Sequence, residues 1–429
     1  MQGIDDVDPR LNKRYKQMVK ESININKSTS SGHKAMLTIN KSFASTQAAW
    51  RFYKNDKITL EKLMAPLRAA ALSGVVNACQ KYALCIHDWS RLKYVTHKSK
   101  QDTYKMTHAH DVGYSLQTSL VISDVDGEPI TPVAQRVVNS EGSYATYYAT
   151  DEPQEIRNNL DELCKAIEHS EQQCFDKPLV HIVDREADSI GHIRQIHEDS
   201  NWLIRARKTN YVDHEGISKK LSVIADELSY KALDKVEYKG TKQVRTVAET
   251  IVTISRPAQP SQKNGYQKSI PGKAIQVRLV VCRVMSTDNA LLAQWLLLTN
   301  VTNEKAQTIC NWYYWRWRIE SFFKLMKKGG YELEHWQQNN ALSILKRLLV
   351  VCMACVFSWR IALNDSEETK AFRDFLVRLS GKQLKRGKTY THNAILSGLW
   401  IFFSMSSCIQ SFGIQKIQQF QNAMEDIFV

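Results

Sequence analysis

Four residues lying close together in the chain carry side chains suited to chemistry on a phosphodiester: Tyr313, Arg316, Glu320 and Lys327. Their offsets of 0, 3, 7 and 14 fall within an arc of about 60° on an α-helix at about 100° per residue, so the spacing predicts one shared face, which Lys324 joins. A carboxylate flanked by cations and a phenol suits a divalent metal ion beside a phosphate. A solvated charged stripe on a surface helix would have the same pattern.

Two further carboxylates follow apolar segments that predict buried strands. Asp184 comes directly after the β-branched stretch 179–183, and Asp88 ends a short strand predicted from residue 81. Open α/β sheets place ligand-binding groups at the carboxyl ends of their strands. The alternative is that Asp184, or Asp188 four residues later, only caps the helix predicted next. The sequence thus predicts two carboxylates on strand ends and a third, Glu320, on a helix.

Together these motifs resemble the cut-and-paste transposases of bacterial insertion sequences and composite transposons, in the branch marked by a Tyr-x2-Arg-x3-Glu-x6-Lys signature. The signature occurs here with the same spacing, from Tyr313 to Lys327. The resemblance extends to the Asp-Arg-Glu-Ala-Asp run at 184–188, to 295–299 and to 48–53. It covers most of the chain and is weakest near the carboxyl terminus.

The resemblance implies an α/β fold: a ribonuclease-H-like mixed-sheet catalytic core with an antiparallel β insertion, flanked by helical amino- and carboxyl-terminal domains. Shifts in composition divide the chain into 1–70, 71–340 and 341–429. The resemblance implies that these are a helical domain that binds DNA ends, the catalytic core and a helical dimerisation domain. A β-rich stretch at 209–290 is interpreted as the insertion, and a separate β domain is the alternative. Its polar loop, 255–273, either touches DNA or is only solvated.

The resemblance also implies the roles of the site residues. Asp88, Asp184 and Glu320 would be both the catalytic residues and the ligands of two Mg²⁺ ions, for which Mn²⁺ would substitute. Two such ions can activate the attacking oxygen and stabilise the leaving oxygen, and oxygen ligands select magnesium or manganese over zinc. The residues implied to contact DNA are Tyr313, Arg316, Lys324, Lys327, Trp295, Arg205 and Arg207.

Trp295 matches a tryptophan that, in the family, stacks on a base flipped from a DNA hairpin. Stacking of an unpaired base on an aromatic face is worth roughly 1 to 3 kcal/mol. A tryptophan in an apolar strand is otherwise a core residue. For the carboxyl-terminal aromatic residues the alternatives are similar, since Trp400, Phe402, Phe403 and Phe412 suit either self-association or a buried core.

The activity that the resemblance implies is DNA transposition by a homodimer on paired inverted-repeat ends. The site would nick each end, form and open a hairpin, and join the 3′-hydroxyl to target DNA. Two other classes share part of the pattern. A nuclease or resolvase on the same fold would need the three carboxylates alone, and a non-catalytic regulator derived from a transposase would usually lack one carboxylate or the amino-terminal domain.

Composition agrees with a nucleic-acid partner. The 429-residue chain has a formal net charge of +14 and a pI near 9.2, and its first 70 residues carry 13 Lys and Arg against 6 Asp and Glu. Binding to a polyanion should therefore be strongly salt-dependent.

Other features predict a cytoplasmic, nucleoid-associated protein without a membrane or small-molecule partner. The nine cysteines lack a metal-site spacing and predict reduced core residues. Residues 1–14 are too polar for a cleavable signal, and the apolar stretch 348–359 is too short to cross a bilayer. A polar break at 28–32 and a basic linker at 381–388 separate predicted helices.

Overall fold

The computed structural model describes residues 3–23, 39–238, 241–259, 269–328, 331–384, 387 and 389–428. The predicted break at 28–32 and the middle of the loop at 255–273 lie outside these residues, as does part of the linker at 381–388. The described helices are α1 (Pro9–Ile23), α2 (Ile39–Tyr53), α3 (Leu60–Ala78), α4 (Asn159–Glu171), α5 (Ile190–His197), α6 (Leu221–Glu227), α7 (Ala306–Trp315), α8 (Trp317–Lys328), α9 (Ala341–Leu363), α10 (Glu367–Leu379) and α11 (His392–Phe428).

One large mixed sheet joins the strands. They are β1 (Ala83–Lys93), β2 (Tyr104–Lys105), β3 (Val112–Ser123), β4 (Pro129–Val138), β5 (Ser143–Ala145), β6 (Leu179–Val183), β7 (Asn201–Arg205), β8 (Tyr211–His214), β9 (Ile217–Lys220), β10 (Lys231–Tyr238), β11 (Thr241–Ile254), β12 (Ile275–Met285) and β13 (Leu291–Thr299). The predicted mixed α/β class is confirmed at this level.

The strand order is β5-β4-β3-β1-β6-β7-β13-β12-β11-β8-β9, with β2 paired to β3 and β10 to β11. Pairing is parallel between β1, β6 and β7 and antiparallel elsewhere in the sheet. The β-rich stretch predicted at 209–290 therefore extends the same sheet, because β12 pairs with β13 and β13 pairs with β7.

The strand carrying Asp88 is longer than predicted. The sequence placed its end at Asp88, but β1 continues to Lys93. The reason is long-range pairing: antiparallel β3 accompanies β1 along its whole length, to Lys93 opposite Gly113, whereas parallel β6 pairs only as far as Ile86. Asp88 thus lies within a strand, just past the point where β6 stops pairing with it.

Helices cover the sheet and share its core. Tyr15, Met18 and Val19 of α1 are fully buried in the same apolar cluster as β1, β3 and most of α9. The boundary predicted at residue 70 falls inside α3, whose Pro66 and Leu67 are also buried. The amino-terminal helices therefore share one core with the large sheet, since α3 packs on β4 and α1 packs on α9.

Two helices are long and apolar enough to cross a membrane, by those two properties alone: Ala341–Leu363 and, within α11, His392–Ala423. In the first, 89% of the most apolar window is buried inside the protein, as in a core helix; in the second the share is 22%. The sequence interpretation stopped the first at Lys346 and Arg347. Both cations are buried, however, because Lys346 pairs with Asp151 at 3.2 Å and Arg347 donates to a glutamine side chain at 2.9 Å.

Candidate active site

Strand register brings the first two carboxylates together. Parallel pairing of β1 with β6 runs from Ala83 opposite Leu179 to Ile86 opposite Ile182. Two residues further along each strand come Asp88 and Asp184, which are therefore level with each other. Because side chains alternate across a strand, both project to the same face of the sheet. Asp184 also caps the short 3₁₀ helix Arg185–Ala187, accepting the Arg185 N–H at 2.7 Å, so its binding and capping roles are compatible.

The signature segment supplies the third carboxylate from the other side of the cleft. It was predicted as one α-helix, but α7 ends at Trp315 and α8 begins at Trp317. Around Arg316 the backbone bonds span three residues, from Arg316 N to Tyr313 O at 3.1 Å and from Ile319 N to Arg316 O at 3.2 Å. The rotation per residue about the helix axis in such a three-residue turn differs from that in an α-helix by only about 20°. The signature side chains therefore still share a face.

The guanidinium of Arg316 lies among the three carboxylates. Its Nη1 is 2.9 Å from Asp88 Oδ2, and its Nη2 is 3.0 Å from Glu320 Oε1 and 3.6 Å from Asp184 Oδ2. Arg316 is only 5% exposed. The resemblance implied an arginine that grips DNA phosphates, whereas the structure places this guanidinium on the acidic groups. Spacing along the chain gave no sign of these contacts with Asp88 and Asp184.

Tyr313 and Trp295 form an aromatic layer beneath Asp184. The Tyr313 hydroxyl donates to Asp184 Oδ1 at 3.1 Å, and burial raises the pKa of Tyr313 to about 12, so it remains a neutral donor. The ring centroids of Trp295 and Tyr313 are 5.9 Å apart. Trp295 is 9% exposed and belongs to the core cluster, the alternative that the sequence left open for it.

The two signature lysines border the cleft. Lys324 is exposed beside Glu320 and Phe323, on the cleft wall. The ammonium of Lys327 donates to the carbonyl of Arg91 and lies 3.6 Å from Glu334 Oε1. The cleft is open to solvent, and its lining residues are Asp88, Trp89, Ser90, Asp184, Arg316, Glu320, Phe323, Lys324 and Lys327.

Arg205 and Arg207 lie along the same edge of the sheet with different partners. Arg205, the last residue of β7, has its Nη1 3.4 Å from Asp184 Oδ1. The Nε of Arg207 is 3.5 Å from Asp188 Oδ1, while its side chain is 60% exposed. Asp188 is buried and accepts the Arg207 N–H at 2.8 Å and the Asn210 amide at 3.1 Å, so it fixes the loop after β7. The residue preceding α5 is Ser189, so the alternative in which Asp188 caps that helix does not hold.

The aspartates of the site differ in acidity. Burial raises the pKa of Asp88 to about 6 despite the nearby Arg316 guanidinium. Burial acts in the same direction on Asp184, but Arg316, the Arg185 N–H, Arg205 and Tyr313 together outweigh it, and the pKa of Asp184 is lowered. The same carboxylates raise the pKa of Arg316, overcoming the effect of its burial. The site therefore holds one permanent cation among three acidic groups.

This donor set fits a hard divalent cation. Three carboxylates converge within 3.6 Å of a single guanidinium, and neither histidine nor cysteine is among the residues lining the cleft. Oxygen ligands of this kind suit Mg²⁺ or Mn²⁺. Asp88, Asp184 and Glu320 could hold such an ion.

On the opposite face of the sheet, the structure assembles a cluster that the sequence interpretation did not foresee. One ligand atom each from Cys85, His87 and His181 lies within 4.8 Å of the others, because β1 pairs with β6. The two imidazoles share a 2.9 Å hydrogen bond, and their outer nitrogens lie 2.8 Å from Ser119 Oγ and 3.0 Å from Glu171 Oε1. Burial lowers the pKa of His87 well below its usual range, so the His87 imidazole is a neutral, hydrogen-bonded part of the core.

Comparisons with known proteins give limited information. No protein-family model matches the sequence, and no curated protein matches it. Among solved structures, the chain is similar to the piggyBac transposase in a cryo-EM structure of its synaptic complex with hairpin DNA, at 9% identity. The match covers 95% of this chain and 73% of that chain with a TM-score of 0.37, which is too low to carry an argument about function.

Proposed function

We propose that this protein is a DNA transposase that cuts and joins DNA by metal-dependent phosphoryl transfer on a ribonuclease-H-like core. One observation carries the proposal: Asp88, Asp184 and Glu320, which are 96 and 136 residues apart in sequence, converge on one open cleft. The signature cations border that same cleft. A solvated charged stripe would not bring its carboxylate to two half-buried aspartates from neighbouring strands β1 and β6, so the geometry favours a site.

The chain's own residues fix the carboxylates for catalysis. Divalent ions, when bound, would activate the attacking oxygen and stabilise the leaving oxygen of a phosphodiester. Asp184 is held by the Arg185 N–H and the Tyr313 hydroxyl, and Asp88 by the Trp89 N–H at 2.8 Å. Glu320 stands on a helix, where backbone bonding limits its movement. Such preorganisation lowers the reorganisation needed in the transition state.

The surroundings of the cleft suit a DNA backbone. Lys324, Lys327, Arg205 and Arg207 place cationic groups on or near its rim, and the chain as a whole carries +14. Phosphate contacts by Lys and Arg supply most of the sequence-independent affinity for DNA. We assign these four residues to the DNA-contacting surface. Tyr313, implied by the resemblance to contact DNA, is 2% exposed and supports Asp184 instead, and Trp295 is the candidate for stacking on an unpaired base.

The finer steps of the proposal follow from the resemblance of the signature segment. They are recognition of inverted repeats, a hairpin intermediate, two ions of Mg²⁺ or Mn²⁺, and a homodimer on paired ends in a bacterial cytoplasm. Exposed apolar residues of α11 are compatible with association through the carboxyl-terminal helices: Met405, Ile409 and Phe412 precede the break in the helix at Gly413, and Phe420 follows it.

The test is to incubate the purified chain with Mg²⁺ and linear DNAs that carry candidate inverted repeats from its source element, and to sequence the joined products. Insertions flanked by a short, constant target duplication would support a transposase. Nicks without joining would indicate a nuclease, and DNA binding without cleavage a regulator. The matched control is Asp184→Asn, which keeps the shape of the site and should abolish every cleavage product.

A further inference from the structure

We infer that Arg316 is an internal counter-ion that blocks divalent metal binding until a DNA phosphate draws its guanidinium out of the carboxylate cluster. This inference rests on the proposed function, because it assigns a regulatory role at the same site. Two observations support the inference: the carboxylate oxygens that the Arg316 guanidinium contacts, and the burial of Arg316.

Each aspartate has one oxygen already committed to the protein. Asp88 Oδ1 accepts the Trp89 N–H at 2.8 Å. Asp184 Oδ1 accepts the Arg185 N–H at 2.7 Å and the Tyr313 hydroxyl at 3.1 Å. The oxygens that remain for a metal ion are the Oδ2 atoms.

Arg316 covers those remaining oxygens. Its guanidinium lies 2.9 Å from Asp88 Oδ2, 3.6 Å from Asp184 Oδ2 and 3.0 Å from Glu320 Oε1. A divalent ion and a guanidinium have charges of the same sign and would need the same three oxygen atoms. With Arg316 in this position, one negative charge of the cluster is offset and the Oδ2 atoms of both aspartates face a cation, which disfavours a metal ion there.

A phosphate can release this block. Arginine pairs with phosphate through two parallel N–H···O bonds, and the pair is charge-assisted. Within the described residues, the Nε of Arg316 is buried without a hydrogen-bond partner, so the guanidinium has a donor still to satisfy. The cleft beside it is open, and Lys324 on its wall would attract the same phosphate.

The consequence is coupled binding. Coupling between two ligands is reciprocal, so DNA should raise the affinity for metal, and metal should raise the affinity for DNA. The cleavage site would then be completed only when a DNA phosphate lies in the cleft. An enzyme that cuts DNA gains from such an order, because a metal-loaded site without its proper substrate would cleave at random.

The test measures Mn²⁺ binding to the DNA-free full-length chain, by electron paramagnetic resonance of the free ion, without any activity assay. Arg316→Gln should bind Mn²⁺ at least about tenfold more tightly than the wild type, equivalent to about 1.4 kcal/mol. The matched control is Lys327→Gln, which removes a signature cation held by Arg91 and Glu334 and should change Mn²⁺ affinity much less. Adding a short DNA duplex should tighten Mn²⁺ binding to the wild type and leave Arg316→Gln almost unchanged.

Mn²⁺ binding by Asp184→Asn shows whether a negative result refutes only this inference or the proposed metal site as well. If Asp184→Asn weakens Mn²⁺ binding while Arg316→Gln fails to strengthen it, the counter-ion role is refuted and the metal site stands. If neither variant changes Mn²⁺ affinity, the metal site itself is refuted. Thermal unfolding of each variant, together with Arg316→Lys, verifies that the comparison is made on folded protein. Arg316→Lys should bind Mn²⁺ with intermediate affinity, because one ammonium cannot bridge three carboxylates.

Discussion

Replacing Asp88 by asparagine should stabilise the metal-free protein while abolishing its cleavage activity. Burial raises the pKa of Asp88 to about 6, so the ionised carboxylate at pH 8 is less stable in the folded protein than in the unfolded chain. Asparagine has nearly the same shape and carries no charge. Its single oxygen can accept from Arg316, while its amide nitrogen replaces the oxygen that accepts the Trp89 N–H. The change therefore removes a buried negative charge and leaves the packing intact.

The magnitude and the pH range follow from linkage. A pKa raised from 3.8 to about 6 corresponds to about 3 kcal/mol between the two protonation states. The side chain is 22% exposed, so little of this value is screened by solvent. The destabilisation by the ionised Asp88 is absent below the unfolded pKa of 3.8, grows as the pH rises, and is complete above about 6. The advantage of Asp88→Asn should thus be largest at pH 8 and vanish near pH 4.

Asp184 provides a matched control within the same site. Its pKa is lowered in the folded protein, so its ionised form contributes stability that is present above the unfolded pKa and is lost as the pH falls through the folded pKa. Asp184→Asn should therefore destabilise the protein at pH 8, opposite in sign to Asp88→Asn. Both variants should lose cleavage activity, since both would remove a proposed metal ligand.

The assay is thermal unfolding of the two variants and the wild type in a chelating buffer at pH 8 and pH 4.5. Taking about 2 °C per kcal/mol for a chain of this size, Asp88→Asn should raise Tm by roughly 6 °C at pH 8. A lower Tm for Asp88→Asn at pH 8, or a gain that does not shrink at pH 4.5, would show that Asp88 is not a strained, buried carboxylate. Cleavage by Asp88→Asn would remove it from the metal site.

Three further predictions concern residues around the cleft. Trp295→Ala should lower the free energy of unfolding by about 3 to 5 kcal/mol in chemical denaturation, because it leaves a cavity in the core. It should also slow hairpin formation roughly 5- to 150-fold more than the first nick. Equal slowing of both steps would mean that Trp295 is only a core residue. Lys324→Gln should reduce the slope of log affinity against log salt by about 0.9 in fluorescence anisotropy, and an unchanged slope would place Lys324 away from DNA. Asp188→Ala should lower the free energy of unfolding by about 1 to 3 kcal/mol in chemical denaturation, because it leaves the Arg207 N–H unpaired. An unchanged free energy of unfolding would mean that the loop after β7 does not depend on Asp188.

The sequence by itself determined the local features of this protein. Spacing within the signature segment was enough to place Tyr313, Arg316 and Glu320 on one side of their helices, because the rotation per residue is fixed by backbone hydrogen bonding. Apolar β-branched runs predicted the strand before Asp184 for a similar local reason. The mixed α/β class follows from the alternation of such segments, and the structure agrees with it.

Only the tertiary structure decided which distant groups meet. That Asp88 is level with Asp184 depends on the register between β1 and β6, which are almost 100 residues apart, and the extension of β1 to Lys93 depends on β3. The same register brought Cys85, His87 and His181 together, although their spacing suggested no cluster. The position of Arg316 on three carboxylates is set by charges that long-range packing brings together in the cleft. Local periodicity contains no information about such pairings, because they are set by how whole strands and helices pack.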